Sequence, residues 1–315
     1  MGNVQFAVAD THNDFLMLMR RGARLDTPMG NGQHMTMEGM REGGLKLAFF
    51  AAFPAERGDR DRAMIYALQM IRDYHQMVAE NGLLHMAPGM GAWDIGEGQI
   101  GTLLTIEGGD ALDGHLEMLD IFHRLGVRLM TLTWNHRNEI ADGVKETYGC
   151  GGLTGFGREV VQEMNRLKMI VDVSHISEAG FWDVMRHTKL PAMASHSNAK
   201  SICGHPRNLT DEQIIALRDA GGFVGLNFFT DFLVNEGESR IRDLIRHIDH
   251  FASLDALGIL GLGSDFDGIE RAPAEIRGPQ DVQRIFDALL QAGYSERQVK
   301  DIAFDNLARY LEQYR

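Results

Sequence analysis

Five short segments, far apart in the chain, carry side chains of the kind that bind divalent metals. They are Asp10-Thr11-His12-Asn13-Asp14, Thr105-Ile106-Glu107-Gly108-Gly109, Val171-Asp172-Val173-Ser174-His175, Met193-Ala194-Ser195-His196 and Leu262-Gly263-Ser264-Asp265. Imidazole nitrogens and carboxylate oxygens are standard zinc ligands. His12 and Asp14 sit two apart, so on an extended strand both point the same way and can reach one ion. Glu107 ends an apolar run. A carboxylate buried there is costly unless paired or metal-bound, and its two oxygens can bridge ions about 3.5–4 Å apart. The competing reading is a structural ion pair with Arg128 or Arg137. His175 and His196 close consecutive apolar runs, which makes them neighbours in space. Each follows a serine, which raises a Ser–His nucleophile pair. Adjacent strand residues point to opposite sides, and neither serine sits in a Gly-x-Ser-x-Gly elbow. Paired metal ligation is the better reading. Asp265 closes the last run, where a carboxylate can bind metal, hold an attacking water or shuttle its proton. Asp267 is the second candidate for that role, or it orients a loop.

These residues need elements that bring them to one place. Apolar runs at 7–11, 46–53, 101–107, 127–134, 168–174, 191–195, 221–227 and 257–264 read as strands. Helical periodicity lies between them over Asp61–Glu80, Leu116–Leu125, Gly157–Leu167, Asp211–Ala220 and Glu238–Leu257. Thr210 and Gln213 have capping-box spacing. The tail Ile302–Tyr314 reads as an amphipathic helix packed on the rest. Continuously apolar strands alternating with helices indicate a parallel sheet covered on its faces. Eight such units favour a closed (β/α)8 TIM-like barrel over an open doubly wound sheet. Active sites of such barrels lie at the C-terminal strand ends. Every candidate above falls there, and together they make a binuclear metal site.

The 315 residues are ample for such a barrel, of which about 250 residues is typical, and residues 1–315 read as a single domain. The net charge of −13, with no Lys/Arg run, argues against nucleic acid or an anionic membrane as partner. No apolar run approaches the roughly 20 residues of a spanning helix, and no signal peptide is evident. Cys150 and Cys203 form no disulfide framework or zinc-finger spacing and read as free thiols of a reducing cytosol. The 18 methionines read as core gap-fillers. Gly30–Gly44 and Gly143–Gly155 read as Gly-rich loops near C-terminal strand ends, and the latter, with Tyr148-Gly149-Cys150-Gly151-Gly152, reads as a long loop without the Lys and Ser/Thr that a phosphate loop supplies. Most other histidines read as surface or packing residues, and His85 and His115 have no assigned role.

The chain resembles the membrane/renal dipeptidase family of zinc metallopeptidases, within the amidohydrolase-like barrels. The resemblance rests on His12-Asn13-Asp14, on Gly152-Leu153-Thr154 through Asn165-Arg166-Leu167 into Val171–Ser177, and on Ser195-His196-Ser197-Asn198-Ala199. His205-Pro206-Arg207-Asn208 and Gly263–Gly268 complete it. It implies two zinc ions, with Mn, Co or Fe possible according to supply. One would be held by His12, Asp14 and Glu107, the other by Glu107, His175 and His196. Asp265 would be the acid/base on a shared water whose pKa the metals lower. Arg207 would hold the substrate's terminal carboxylate, a role suited to a forked guanidinium. Without the resemblance, a surface salt bridge is the expectation for Arg207. The animal-type enzymes carry a carbonyl-polarising His in a Thr-Leu-Thr-His run. Here the run is Thr131-Leu132-Thr133-Trp134-Asn135-His136, so His136 or Asn135 becomes the substitute. The expectation is a cytoplasmic dipeptidase acting on small peptides, with a homodimer suggested by the resemblance. The rival readings are hydrolysis of another small amide, such as an N-acyl amino acid or a lactam, and a non-catalytic binding barrel.

Overall fold

The computed structural model describes residues 5–28, 30, 32–54, 62–86, 89–146 and 151–315. Nine strands form one parallel sheet: β1 (Val8–Asn13), β2 (Leu45–Ala52), β3 (Leu84–His85), β4 (Gly101–Glu107), β5 (Val127–Thr131), β6 (Ile170–Asp172), β7 (Met193–Ala194), β8 (Phe223–Leu226) and β9 (Leu260–Leu262). β1 pairs with both β2 and β9, and β2 pairs with β4, so all strands but β3 close into an eight-stranded barrel. This is the (β/α)8 architecture expected from the alternation of runs. β3 was not anticipated. It pairs with Gly101 and Thr102, below the point where β5 joins β4 at Leu104. Two residues carry no periodicity to read.

Neighbouring strand residues divide between two cores, as a period of two requires. Ala9, Leu47, Phe49, Leu103, Leu129, Ile170, Met193 and Phe223 share one cluster. Their immediate neighbours Val8, Ala48, Phe50, Leu104, Met130, Val171, Ala194 and Val224 belong to the other, packed against the helices. The first group lies early in the strands and is completed by Phe304, Leu307, Tyr310 and Leu311 of the C-terminal helical segment. That segment therefore plugs the barrel at the end opposite the candidate ligands. Asn306 Nδ2 fastens it by donating to the carbonyls of Leu257 and Leu260, 2.7 Å each.

The expected helices appear as Ala63–Asn81, Met118–Arg124, Gly155–Arg166, Asp211–Asp219 and Ile241–Ser253. Thr210 and Gln213 form the reciprocal capping box. The Gly30–Gly44 stretch contains a short helix, Met37–Glu42. Cys203 is free and buried. Residue 31, Asp61, and Cys150 with the other residues of 147–150 lie outside the described residues. Among the described residues no helix is long and apolar enough to cross a membrane.

Candidate metal centre

Each candidate ligand stands at or just past a C-terminal strand end. His12 is within β1, and Asp14 follows its last residue. Glu107 is the last residue of β4. His175, His196 and Asp265 lie just beyond β6, β7 and β9. All but Asp265 are buried. Gly109 leaves no room for a side chain, because a Cβ there would meet Ile140 and the Leu132 carbonyl. Gly108 before it has a φ of 106°, a conformation that favours glycine and turns the chain after Glu107.

The two oxygens of Glu107 face different partners. Oε2 lies 3.4 Å from His12 Nε2. Oε1 lies 3.0 Å from His175 Nε2 and 3.6 Å from His196 Nε2. His12 Nε2 is also 3.4 Å from Asp14 Oδ2 and 3.8 Å from Asp265 Oδ1. Two groups of mutually close donor atoms result: His12, Glu107 and His196, and His12, Asp14 and Asp265. Burial pushes the Asp14 carboxyl up to about 8, helped by the facing Glu107. Burial would raise Glu107 too, but His12 and His175 override it and hold its carboxyl well below the usual range. His175 falls to about 4 through burial and the nearby Arg207, and His196 is lowered well below its ordinary value by burial, His12, Arg207 and His175. His175 and His196 are thus held neutral, whereas burial would lower His12 as well but Glu107 and Asp14 override it and raise it well above the ordinary imidazole value.

The donors fit divalent metal ions. His12 Nε2 and Asp14 Oδ1 are buried without a hydrogen-bond partner, a costly state that a cation relieves. Imidazole and carboxylate are the donors such ions take.

The remaining candidates separate. Asn135 is buried, and its Oδ1 lies 2.9 Å from His175 Nδ1. His136 is not brought to the cluster. Its side chain is 54% exposed and 3.5 Å from Glu146. Arg207 is buried rather than at the surface. Its Nη2 donates to the His196 carbonyl at 3.1 Å, its guanidinium lies 5.4 Å from the Phe232 ring, and burial lowers it to about 10. Glu107 does not pair with Arg137, which binds Asp142, or with Arg128, which donates to the His123 and Val127 carbonyls. Asp267 takes the loop-orienting role: its carboxylate accepts from the backbone N–H groups of His34 and Met35.

Asn227 was missed. Its Nδ2 donates to Asp265 Oδ2 at 2.8 Å. The signal was present, because Asn227 ends the apolar run 221–227 as the ligands end theirs. Above the cluster opens a cavity of about 370 Å³, lined by Glu107, Asp265, Trp134, Lys145, Arg207 and Phe232 among others.

A closed (β/α)8 barrel with buried histidines and carboxylates at its C-terminal mouth defines a metal-dependent hydrolase of the TIM-barrel class. The sequence model of the membrane dipeptidase family, peptidase family M19, matches residues 3–315. The chain belongs to that family and is a metallo-dipeptidase. It is 33% identical to an uncharacterized dipeptidase of Schizosaccharomyces pombe, over 90% of this chain and 73% of the other. A solved dipeptidase of family M19 superposes with a TM-score of 0.92 at 30% identity, covering 99% of both chains. A metallopeptidase of Rhodobacter sphaeroides, solved with a phosphinate mimic of the dipeptide L-Ala-D-Ala, superposes with a TM-score of 0.91 at 29% identity, covering 99% of this chain and 100% of that one.

Proposed function

We propose that this metallo-dipeptidase works through two zinc ions, one held by His12, Asp14 and Glu107, the other by Glu107, His175 and His196. The observation that carries the reading is the division of Glu107, one oxygen towards His12 and the other towards His175 and His196. Ions bound there supply Lewis acidity, polarising a peptide carbonyl and lowering the pKa of water.

The chain's own residues do the rest. Asp265, held by Asn227, accepts the proton of the attacking water and returns it to the leaving amine. Asn135 orients His175 through its Oδ1 and lines the cavity where substrate would sit. Arg207 meets the free carboxylate of the dipeptide, because it is a buried cation for which no ion pair is found among the described residues. Trp134, its ring tilted against that of Phe53 with centroids 5.1 Å apart, lines the cavity at the position where the animal-type enzymes carry a histidine. The ligand of the Rhodobacter sphaeroides relative supports small dipeptides, including those ending in a D-residue, as substrates. The same reading treats residues 1–315 as one domain.

Glu107→Gln tests it. The substitution keeps the shape and removes the carboxylate charge that would hold the ions. Metal content should fall below that of the wild type, and hydrolysis across a dipeptide panel should drop by at least about 100-fold, as expected when several kcal/mol of metal-derived stabilisation is lost. Unchanged metal content and unchanged turnover refute the assignment.

A further inference from the structure

The imidazoles of the cluster are not oriented by the same chemistry. His175 Nδ1 faces an amide oxygen, Asn135 Oδ1. His196 Nδ1 faces the hydroxyl of the residue before it, Ser195 Oγ, at 2.7 Å. That hydroxyl also lies 2.6 Å from Asp172 Oδ2. Asp172 is fully buried at the end of β6. Its other acceptor positions are taken. The N–H groups of Ser174 and Ser195 donate to Oδ1 at 3.0 and 2.9 Å, and the Thr131 hydroxyl donates to Oδ2 at 2.7 Å.

A carboxylate surrounded by four donors acts as acceptor only. The single proton of the Ser195 hydroxyl is therefore spent on Asp172. Ser195 Oγ can then only accept from His196, which puts the imidazole proton on Nδ1 and the lone pair on Nε2. Nε2 is the atom that faces Glu107 Oε1 at 3.6 Å and His175 Nε2 at 2.9 Å. The backbone of His196 is fixed from the same side, since its N–H donates to Ser174 Oγ at 3.2 Å.

A matching stitch lies elsewhere in the barrel without an imidazole. Ser264, just past β9, donates its N–H and its hydroxyl to Asp10 of β1. The residue after Ser264 is Asp265, which has no tautomer to set. An Asp–Ser pair thus joins neighbouring strands twice, and at Ser195 it does something more.

We propose that Asp172 and Ser195 form a carboxylate–hydroxyl–imidazole relay that locks His196 as an Nε2 metal ligand, with Ser195 the positioning residue. The proposal rests on the metal reading of the site given above. Without the Ser195 hydroxyl, the His196 Nδ1–H loses its acceptor and the ring is free to protonate Nε2 or to turn. Either change withdraws the lone pair from the cluster. Partners that fix a ligand histidine in this way typically change metal affinity by about 10–100-fold.

The test uses the full chain stripped of metal, with Zn2+ affinity read by competition against a chelating dye. Ser195→Ala should weaken Zn2+ binding by about 10–100-fold, and Ser195→Thr, which keeps the hydroxyl, should restore it. Nitrogen-15 spectra of metal-free wild type should find His196 protonated at Nδ1, and Ser264→Ala should leave that signature in place. Wild-type affinity in Ser195→Ala, or a wild-type His196 protonated at Nε2, overturns the relay. A wild type that binds Zn2+ while Ser195→Ala binds it equally sinks the relay alone; a wild type that binds none sinks the metal reading with it. If Ser195→Ala fails to fold, the wild-type spectrum decides the question.

Discussion

Arg207→Met should make the protein slightly more stable and much less active. Arg207 is 5% exposed, and burial lowers it from the ordinary guanidinium value to about 10. A shift of that size is on the order of 3 kcal/mol against the charged form. The sign follows from its direction: a base whose folded value lies below its unfolded one destabilises the fold wherever it stays charged, here at any pH below about 10. The hydrogen bond to the His196 carbonyl offsets about 1.5 kcal/mol, and the contact with the Phe232 ring about 1 kcal/mol. A net cost of about 1 kcal/mol remains, and methionine keeps the length without the charge. The melting midpoint should therefore rise by roughly 1–2 °C for a chain of this size. Catalysis should move the other way. Truncating one partner of a buried charge pair costs about 2–5 kcal/mol, so kcat/KM on a dipeptide should fall by roughly 30- to 5,000-fold. The matching dipeptide amide, which has no terminal carboxylate, should be hydrolysed as by the wild type. Equal losses on both substrates, or a midpoint several degrees lower, would refute the reasoning.

Asp265→Asn should retain metal while kcat falls by about 10²–10⁴-fold, the usual worth of a general acid/base; loss of metal would make Asp265 a ligand instead. His136→Ala should change kcat/KM by less than about twofold, because the exposed side chain stands away from the cavity. His247 is held neutral, lowered to about 4 chiefly by burial, with Nδ1 accepting from the Ala199 N–H. The unfolded chain takes up that proton below about pH 6.5, so stability is lost as pH falls; by pH 5 the loss is about 2 kcal/mol. Urea unfolding at pH 7 and pH 5 should show that share of the slope missing in His247→Asn, and an unchanged slope would count against it.

The barrel was legible because a parallel strand buried on both faces is apolar at nearly every position, and eight such runs survive reading without a partner. The ligands were legible because a charged or polar residue at the end of such a run is expensive unless used. The same rule should have flagged Asn227. Asp172, flanked by Val171 and Val173, was in view too, but its four donors come from Thr131, Ser174 and Ser195, and such partners are assigned only when three strands are side by side. The direction of His136 was not legible. The spacing argument assumed strand geometry to residue 134, whereas β5 ends at Thr131. Beyond that point alternation no longer decides which neighbour faces in.

The strand ends are where local rules stop applying, and the backbone itself shows it. His175 and Asp265 both adopt left-handed φ values of 65°, and Asp267 adopts 67°. None is glycine, and an L-residue there costs about 1–2 kcal/mol. An extended strand would carry the third residue past its end further along the barrel axis. A left-handed turn instead folds it back over the mouth, which brings His175 within 3.0 Å of Glu107 and Asp265 within 3.8 Å of His12. The strain is held by contacts from neighbouring strands. The Asp265 N–H donates to the His12 carbonyl at 3.1 Å, and Asn227 fixes its carboxylate. His175 is tied through Asn135 and through its carbonyl, which accepts from the Val144 N–H at 2.8 Å. Regular strands set the height of the site residues above the barrel, and strained turns aim two of them, His175 and Asp265. Only the first of these is written in the sequence pattern.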